Sequence, residues 1–317
     1  MQLIRGINNI RPDDHGCVLT IGNFDGVHLG HRRVIEALVS KARVLNCAAA
    51  VMVFEPQPQE LFAPETAPAR LTRLRDKYNL LKMLGVDRVI CVNFNRKFSG
   101  ITATDFIAQL LVNKLGIKHL IIGDDFRFGK NRQGNFALLK QASSKFCFGL
   151  SDTASYKLAD CRISSTAIRK ALEQDKLHDA AQMLGRQYSI TGRVVHGDKR
   201  GRELGFPTAN VLLKRRVSPV SGVYVVNILN HSIEPIATLY GVANIGSRPT
   251  VAGIRQQLEV HIFNFNGNLY GQAVEIVLLE KLRCEQRFAS LNELTTQIAL
   301  DCQQAKSYFK VHNIQKY

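Results

Sequence analysis

Short apolar runs alternate with segments of helical periodicity along the first half of the chain. The apolar runs cover residues 17–21, 48–54, 86–92 and 119–122, and the periodic segments cover residues 34–45, 71–84 and 106–115. Strands separated by helices predict βαβ units and a parallel sheet. Ligands of such sheets bind beyond the carboxyl ends of the strands. The residues that follow the apolar runs are therefore the first candidates for a binding site.

A different pattern begins near residue 165. Residues 165–172 and 177–184 predict two short helices, and strand-like segments separated by glycine and proline follow them. These segments cover residues 190–195, 222–228, 236–243, 258–263 and 274–279, and residues 288–308 predict a closing helix. Short strands in series are typical of an antiparallel barrel or sandwich. We therefore predict two domains, residues 1–185 and residues 186–317.

Composition narrows the class of protein. The chain is 45% hydrophobic and 21% charged, which is typical of globular proteins. No apolar run reaches the ~18 residues of a membrane span, and the start of the chain lacks a secretory pattern. The seven cysteines are scattered without a CxxC pair, so we predict reduced thiols rather than disulfides or a zinc site. We expect a cytoplasmic protein.

The net charge of +16 favours anionic partners. Tryptophan is absent, and no basic run is interleaved with stacking aromatic residues, so the support for nucleic-acid binding is weak. The expected partners are small molecules rather than nucleic acid or a membrane, and the expected state is a monomer or a weak homo-oligomer.

The segment IGNFDGVHLGH, residues 21–31, follows the first apolar run and opens the first helical segment. Glycines let the backbone approach a phosphate, and a helix N-terminus offers free N–H groups to an anion. His28 and His31 share a face of the first turn, and both can donate hydrogen bonds to phosphate oxygens. A chance pair of histidines is the alternative. A Walker loop and a GxGxxG motif are both absent from the chain.

Residues 163–169, ISSTAIR, offer a second anion-binding segment. Ser164, Ser165 and Thr166 supply hydroxyl and N–H groups at a helix start, and Arg169 adds a fork of donors one turn later. An ordinary helix cap uses the same groups as a phosphate clamp, so the pattern leaves both interpretations open.

The second half carries GDKRGRELGFPTAN at residues 197–210. Thr208 and Asn210 alternate along an extended chain, so both side chains face one way. Hydroxyl and amide oxygens are hard ligands that suit Mg²⁺. A polar strand edge is the alternative.

Seven motifs resemble one family in order and spacing. Residues 21–31, 123–129 (GDDFRFG) and 163–169 resemble the N-terminal nucleotidyltransferase module of the bacterial bifunctional riboflavin kinase/FMN adenylyltransferase family. Residues 201–210 (GRELGFPTAN), 241–250, 258–262 and 282–288 resemble that family's riboflavin kinase module. The resemblance covers almost the entire chain. Gln57 stands where many relatives carry histidine, so we assign Gln57 no catalytic role.

This resemblance implies a fold and two reactions. The fold is an α/β Rossmann-like nucleotidyltransferase domain with a parallel sheet, followed by a small antiparallel β-barrel with a C-terminal helix. The barrel phosphorylates riboflavin to FMN, and the N-terminal domain adenylylates FMN to FAD and releases pyrophosphate. ATP is the implied co-substrate of both steps, and Mg²⁺ is the implied metal.

Roles for individual residues follow from the same resemblance. The implied catalytic residues are His28 and His31 for adenylyl transfer and Glu259 for the kinase. The implied nucleotide and phosphate contacts of the adenylyltransferase are Gly22, Asn23, Phe24, Asp25, Gly26, Gly30, Asp125, Arg127, Gly129, Ser164, Ser165, Thr166 and Arg169. The implied ATP and flavin contacts of the kinase are Gly201, Arg202, Gly205, Phe206, Pro207, Asn244, Arg283, Glu285 and Phe288, with Thr208 and Asn210 as Mg²⁺ ligands.

The two reactions need different chemistry. The phosphate of FMN has a second pKa of ~6, so it attacks without a general base, and its site must align reactants and neutralise charge. A ribityl hydroxyl must lose its proton, and a positioned carboxylate accelerates that step by ~10²–10⁴. Glu259 is the candidate base, with Glu275 and Glu280 as competitors. His261, on the same strand face as Glu259, is predicted to be structural.

Two other functions remain as alternatives. A relative of class I aminoacyl-tRNA synthetases would explain the HxGH turn and the basic chain, but a KMSKS-like loop and a tRNA-binding extension are not visible. A non-enzymatic flavin- or RNA-binding regulator is opposed by the intact His28, His31, Thr208, Asn210 and Glu259.

Overall fold

The computed structural model divides into two compact units, one made of Met1–Pro68 and Thr72–Ser165 and the other of Ala69–Leu71 and Thr166–Tyr317. The structure describes residues 1–123, 125–153, 157–158, 161–197, 201, 205–213, 216–230, 237–250 and 253–314.

A six-stranded parallel sheet forms the centre of the first unit. Its strands are β1 (Gln2–Arg5), β2 (Cys17–Ile21), β3 (Ala48–Glu55), β4 (Arg88–Asn93), β5 (His119–Gly123) and β6 (Gly149–Thr153). They lie in the order β1-β4-β3-β2-β5-β6, and each neighbouring pair is parallel. Strands β7 (Lys157–Leu158) and β8 (Cys161–Arg162) form a separate antiparallel pair.

Helices cover both faces of this sheet. They are α1 (Leu29–Val44), α2 (Pro58–Phe62), α3 (Leu74–Met83), α4 (Arg96–Ser99), α5 (Ala103–Asp105), a π-helix (Phe106–Lys114) and α6 (Phe136–Phe146), with 3₁₀ turns at Ile7–Asn9, Pro12–Asp14 and Lys130–Arg132. Leu19 and Ile21 of β2 pack with the π-helix and α6, whereas Val18 packs with α1 and α3. This burial on both faces explains why β2 is a continuous apolar run.

The second unit is built on a closed antiparallel barrel. Its strands are β9 (Ser189–Val195), β10 (Thr208–Leu212), β11 (Gly222–Asn230), β12 (Ala237–Thr250), β13 (Gly253–Ile262) and β14 (Ala273–Arg283). They follow the order β10-β13-β12-β11-β14-β9, and β9 pairs with β10 to close the barrel. The sequence left a barrel and a sandwich open, and the structure is a barrel.

In the part of this unit that the structure describes, three helices pack on the barrel strands. They are α7 (Ser165–Glu173), α8 (Leu177–Leu184) and α9 (Leu291–Val311). Helices α7 and α8 share a buried cluster with the barrel interior, and α9 packs separately on β11 and β12. The predicted fold class is confirmed. The domain limits 1–185 and 186–317 stay a prediction of where the two activities divide.

We expect Phe309→Ala to destabilise the second unit by about 3–5 kcal/mol, because it removes a large buried ring and leaves a cavity. Phe309 is fully buried and meets Tyr240 and Phe263 edge to face at 5.2 and 6.4 Å between ring centroids. Val311→Ala is the control, since Val311 lies on the same helix and is 76% exposed. Denaturant unfolding followed by circular dichroism measures both, and equal effects would contradict the packing assigned to α9.

Candidate functional site

The turn between β2 and α1 runs through left-handed backbone. Phe24, Gly26 and Val27 have φ values of 46°, 85° and 42°, and such values are uncommon for residues other than glycine. Helix α1 begins after His28, whose side chain caps it: Nδ1 of His28 accepts a hydrogen bond from the backbone N–H of His31 at 3.2 Å. Because Nδ1 is an acceptor, the neutral ring of His28 carries its proton on Nε2.

His28 and His31 form one stacked pair. Their ring centroids are 3.6 Å apart and their planes differ by 15°, while Phe24 packs on His31 at 5.0 Å. Nδ1 of His31 is buried and has no hydrogen-bond partner among the described residues. Burial, followed by the charges of His28 and Lys77, holds the pKa of His31 well below its usual value. His31 is therefore a neutral ring at pH 7.

Asp25 holds this turn in place. Its buried carboxylate accepts hydrogen bonds from the backbone N–H and the hydroxyl of Thr72 at 2.9 and 3.2 Å. The same hydroxyl accepts from the backbone N–H of Gly26 at 2.9 Å. These bonds explain how a strained turn persists. They give Asp25 a structural role, and its predicted contact with a nucleotide stays a prediction.

The ISST segment reaches the same turn. Ser165 donates a hydrogen bond to the backbone carbonyl of Asp25 at 2.9 Å. A Cβ at Gly30 would lie 3.2 Å from the ring of His28 and 3.6 Å from the carbonyl oxygen of Ile163. The structure therefore brings together the histidine pair, Gly30 and Ser165.

The other three predicted residues of this segment are Ser164, Thr166 and Arg169. Ser164 is half-buried and Thr166 is exposed at the start of α7. Arg169 donates its Nε–H to the carbonyl of Ala69 at 2.6 Å within the second unit. Their predicted phosphate contacts stay predictions.

The loop after β5 lies at the same edge of the sheet as the histidine turn, because β2 and β5 are parallel neighbours. Asp125 and Arg127 are exposed there. Phe128 and Gly134 exchange backbone hydrogen bonds at 3.2 and 2.9 Å, which closes the loop. Gly129 has a φ of 73°, and a Cβ there would come within 2.7 Å of the backbone of Ala103. Gly22 and Asn23 continue the edge directly after β2.

A run of phenylalanines at this edge was missed in the sequence analysis. Each ring packs against at least one other, with centroids 5.3–6.3 Å apart; the run contains Phe54, Phe62, Phe94, Phe98, Phe106, Phe126 and Phe128. Phe54 is the second-last residue of β3 and Phe94 directly follows β4, so their positions at strand ends were a usable signal. Phe62 is 59% exposed. The run forms an apolar surface at this edge of the sheet.

The second unit carries a cavity of about 400 Å³ between the barrel and α9. Most of the predicted kinase residues line it: Gly201, Phe206, Thr208, Asn210, Asn244, Glu259, Arg283, Glu285 and Phe288. Pro207 lines a different cavity, Gly205 forms a turn with a φ of 84°, and Arg202 lies outside the described residues. Neither Glu275 nor Glu280 lines this cavity, and Glu275 accepts a hydrogen bond from Ser189 at 2.6 Å.

Register explains how the polar groups of this first cavity meet. Strand β10 pairs with β13 so that Asn210 lies opposite Glu259. The side-chain amide of Gln257 donates to Oδ1 of Asn210 at 3.1 Å and to Oε1 of Glu259 at 2.5 Å. Gln257 was missed in the sequence analysis, although alternation along β13 places it on the face of Glu259. His261 donates from Nδ1 to the carbonyl of Pro207 at 2.9 Å, which supports its structural role.

A second cavity, of about 430 Å³, adjoins the first. Thr208 lines both cavities. Tyr270 lines the second and stacks on His196 with ring centroids 4.0 Å apart. Thr208 is therefore a wall residue shared by the two cavities.

Comparisons with known proteins agree with this geometry. The family model for FAD synthetase matches residues 10–167, and the model for riboflavin kinase matches residues 184–309. A bifunctional riboflavin kinase/FMN adenylyltransferase from Escherichia coli (strain K12) is 54% identical over 98% of both chains. The Haemophilus influenzae (strain ATCC 51907 / DSM 11121 / KW20 / Rd) protein of that name is 52% identical over 98% of this chain and 99% of its own.

The chain belongs to the bifunctional riboflavin kinase/FMN adenylyltransferase family. The predicted family, its two activities and the order of its two modules are thereby confirmed. A solved structure described as a macrolide-efflux protein from Streptococcus pneumoniae is similar in fold, with a TM-score of 0.79 and 28% identity over 96% of this chain and 98% of its own. Within the described residues, no helix is long and apolar enough to cross a membrane.

We expect the ring of His31 to stay neutral at pH values where a free imidazole, with a pKa of ~6.5, is half protonated. The reason is its burial beside His28 and Lys77. A lowered pKa means that the folded state binds this proton only at a lower pH than the unfolded state. Ring ¹H–¹⁵N correlation spectra across pH, assigned with His31→Gln, measure the midpoint. A midpoint at or above ~6.5 would contradict the burial assigned to His31.

Proposed function

We propose that the first unit joins AMP to FMN at the histidine turn and that the barrel phosphorylates riboflavin beside Glu259. The observation that carries the kinase assignment is the Gln257 amide, which links Asn210 and Glu259 in one cavity. The bonds between the β2–α1 turn and Ser165 support the adenylyltransferase assignment.

In the adenylyl transfer, a phosphate oxygen of FMN attacks the α-phosphorus of ATP. A phosphorus–oxygen bond to FMN forms as the bond between the α- and β-phosphates breaks, and pyrophosphate leaves. The Nε2–H of His28 donates to a phosphate oxygen, and neutral His31 holds the ring of His28 in position by stacking. Fixed donors of this kind stabilise developing charge without reorganisation.

We place the isoalloxazine ring of FMN against the phenylalanine run. A flat aromatic ligand gains favourable contacts with aromatic rings in offset or edge-to-face geometry. Phe62 is exposed although it is a large apolar side chain, as expected of a residue that packs against a ligand.

In the kinase reaction, the ribityl hydroxyl of riboflavin attacks the γ-phosphorus of ATP. Glu259 accepts the hydroxyl proton as the new phosphorus–oxygen bond forms and ADP leaves. We place riboflavin in the first cavity and the nucleotide in the second, with the phosphates reaching Thr208, because Thr208 lines both cavities.

The donor set beside Glu259 suits Mg²⁺. Asn210 uses one lone pair of Oδ1 for Gln257, and an amide oxygen has a second lone pair. Among the described residues no cluster of three or more histidine, cysteine or acidic side chains could hold a metal. Mg²⁺ typically uses one or two protein ligands together with phosphate oxygens. Thr208 and Asn210 would hold the ion, which when bound neutralises phosphate charge.

Localisation, oligomeric state and partners are proposed from the charge and composition of the chain. We propose a cytoplasmic monomer or weak homo-oligomer that binds small molecules and no nucleic acid.

We expect Glu259→Gln to lower the rate of FMN formation by ~10²–10⁴ because the hydroxyl loses its base. The same variant should convert supplied FMN to FAD at the wild-type rate. Chromatography of reactions with riboflavin or FMN, ATP and Mg²⁺ measures both steps. Glu275→Gln is the control, since Glu275 lies on β14 and does not line the cavity.

The reciprocal variant is His28→Ala with His31→Ala, which should stall the mixture at FMN. Loss of both reactions in either folded variant would refute the division between two sites. Unchanged riboflavin in a wild-type reaction would instead favour a non-enzymatic regulator.

We expect Thr208→Val to raise the Mg²⁺ concentration for half-maximal kinase activity by about tenfold, equivalent to about 1.4 kcal/mol of binding. The hydroxyl supplies an oxygen ligand, and valine keeps the shape of the side chain. Thr238→Val is the matched control, because Thr238 is an exposed barrel residue that lines neither cavity. Titration of Mg²⁺ in the riboflavin phosphorylation assay measures the effect, and an unchanged requirement would remove Thr208 from the metal site.

A further inference from the structure

An ion pair joins helix α9 to the end of strand β14 at the wall of the first cavity. Nε of Arg283 lies 2.9 and 3.1 Å from the two carboxylate oxygens of Asp301, and Nη2 lies 2.8 Å from Oδ2. The side chains are 19% and 3% exposed. Gln297, one turn earlier on α9, donates to Oδ1 of Asp301 at 2.9 Å. The Asp301 carboxylate therefore receives donors from both β14 and α9.

The remaining nitrogen of the Arg283 guanidinium also has a hydrogen-bond partner, and an aromatic ring packs near the group. Nη1 of Arg283 donates to the carbonyl of Cys284 at 3.1 Å, and the guanidinium carbon lies 5.6 Å from the centroid of the Phe288 ring. Arg283, Phe288 and Asp301 all line the first cavity. The pair thus sets the orientation of one side chain on β14 and of the ring that packs on it.

Stability alone is a weak reason for this arrangement. A buried carboxylate loses its hydration, and replacement of a buried ion pair by apolar side chains is often neutral or stabilising. A bidentate pair with a carboxylate does, however, hold a guanidinium in one plane. An arginine without such a partner would keep its rotamer freedom until a ligand bound, and the loss of that freedom would weaken binding.

We infer that Asp301 is a positioning residue for riboflavin: it holds Arg283, and with it Phe288, as a preformed wall of the first cavity. The inference rests on the proposed function, in which that cavity takes the flavin. Asp301 acts through Arg283. Neither Arg283 nor Asp301 lines the second cavity, so the effect of Asp301 is confined to one of the two substrates.

The decisive experiment is the kinetics of Asp301→Asn in the full-length chain. We expect the KM for riboflavin to rise about tenfold while the KM for ATP changes less than about twofold. FMN adenylylation serves as an internal reference and should keep its wild-type rate. Asp175→Asn is the matched control, because Asp175 pairs with Lys281 of the same strand at 2.7 Å and lines neither cavity.

A double-mutant cycle with Arg283→Met separates positioning from general weakening. If Asp301 acts through Arg283, Asp301→Asn should change the KM for riboflavin by less than about twofold in the Arg283→Met background. An equal rise of both KM values, or additive effects of the two substitutions, would overturn the inference. A wild-type KM for riboflavin in Asp301→Asn would do the same.

A replacement variant and the wild-type riboflavin phosphorylation assay cover the cases in which Asp301→Asn gives no answer. If thermal unfolding shows that Asp301→Asn does not fold, Asp301→Ser replaces it, since this variant also removes the carboxylate that holds Arg283 and leaves room for water beside the guanidinium. A rise in the riboflavin KM alone supports the inference, and an unchanged value overturns it. Absence of riboflavin phosphorylation by the wild-type chain would refute the proposed function instead, so the two failures are distinguishable.

Discussion

Antiparallel pairing of β10 with β13 places Asn210 opposite Glu259, and the chemistry of the barrel depends on that register. Side chains of a strand alternate between its faces, so a slip of one residue would exchange the two faces. Val211, Leu258 and Val260 are buried in the barrel core, whereas their neighbours Asn210 and Glu259 line the cavity under α9. The hydrophobic burial that stabilises the barrel thereby also fixes which side chains face the substrates.

In the first unit, a different constraint determines which groups face the candidate site. A parallel sheet leaves its carboxyl edge open to ligands, and the chain there must leave β2 and enter α1 through left-handed residues. The Asp25 carboxylate and Thr72 hold that turn. Nδ1 of His31 is a buried polar atom that no other residue in the described part of the chain satisfies. Such groups are rare in folded proteins, and they concentrate where a ligand completes the structure.

The spacing of apolar residues predicted the strands and helices that have a buried face along their whole length. Residues 17–21 and 177–184 coincide with β2 and α8, because a strand buried on both faces and an amphipathic helix each leave a periodic signal. Strands β1 and β6 were missed. Both lie at the edges of the sheet, where one side of the strand has no neighbour and polar residues are tolerated.

The sequence predicted only those residues of the site that lie close together in a motif. His28, His31, Thr208 and Asn210 stand in compact motifs, so a short window contains them. Gln257 and Asp301 could not be found in this way, because their roles depend on partners that lie 47 and 18 residues away in the chain. The phenylalanine run likewise joins the ends of separate strands. Contacts of that kind follow from topology, which a motif does not contain.

The two proposed nucleophiles differ in charge, so their sites need different groups: hydrogen-bond donors for the phosphate and a base for the hydroxyl. The FMN phosphate is already ionised, so its proposed site benefits from hydrogen-bond donors, and the Nε2–H of His28 supplies one beside the neutral ring of His31. In the proposed kinase reaction, Glu259 must instead accept a proton while Mg²⁺ binds nearby at Asn210, and a cation beside a carboxylate makes it a weaker base. Gln257 holds Glu259 with a neutral amide. The charge of Arg283, in the same cavity, is balanced by Asp301, so we assign this pair the orientation of the cavity wall and no part in the proton transfer.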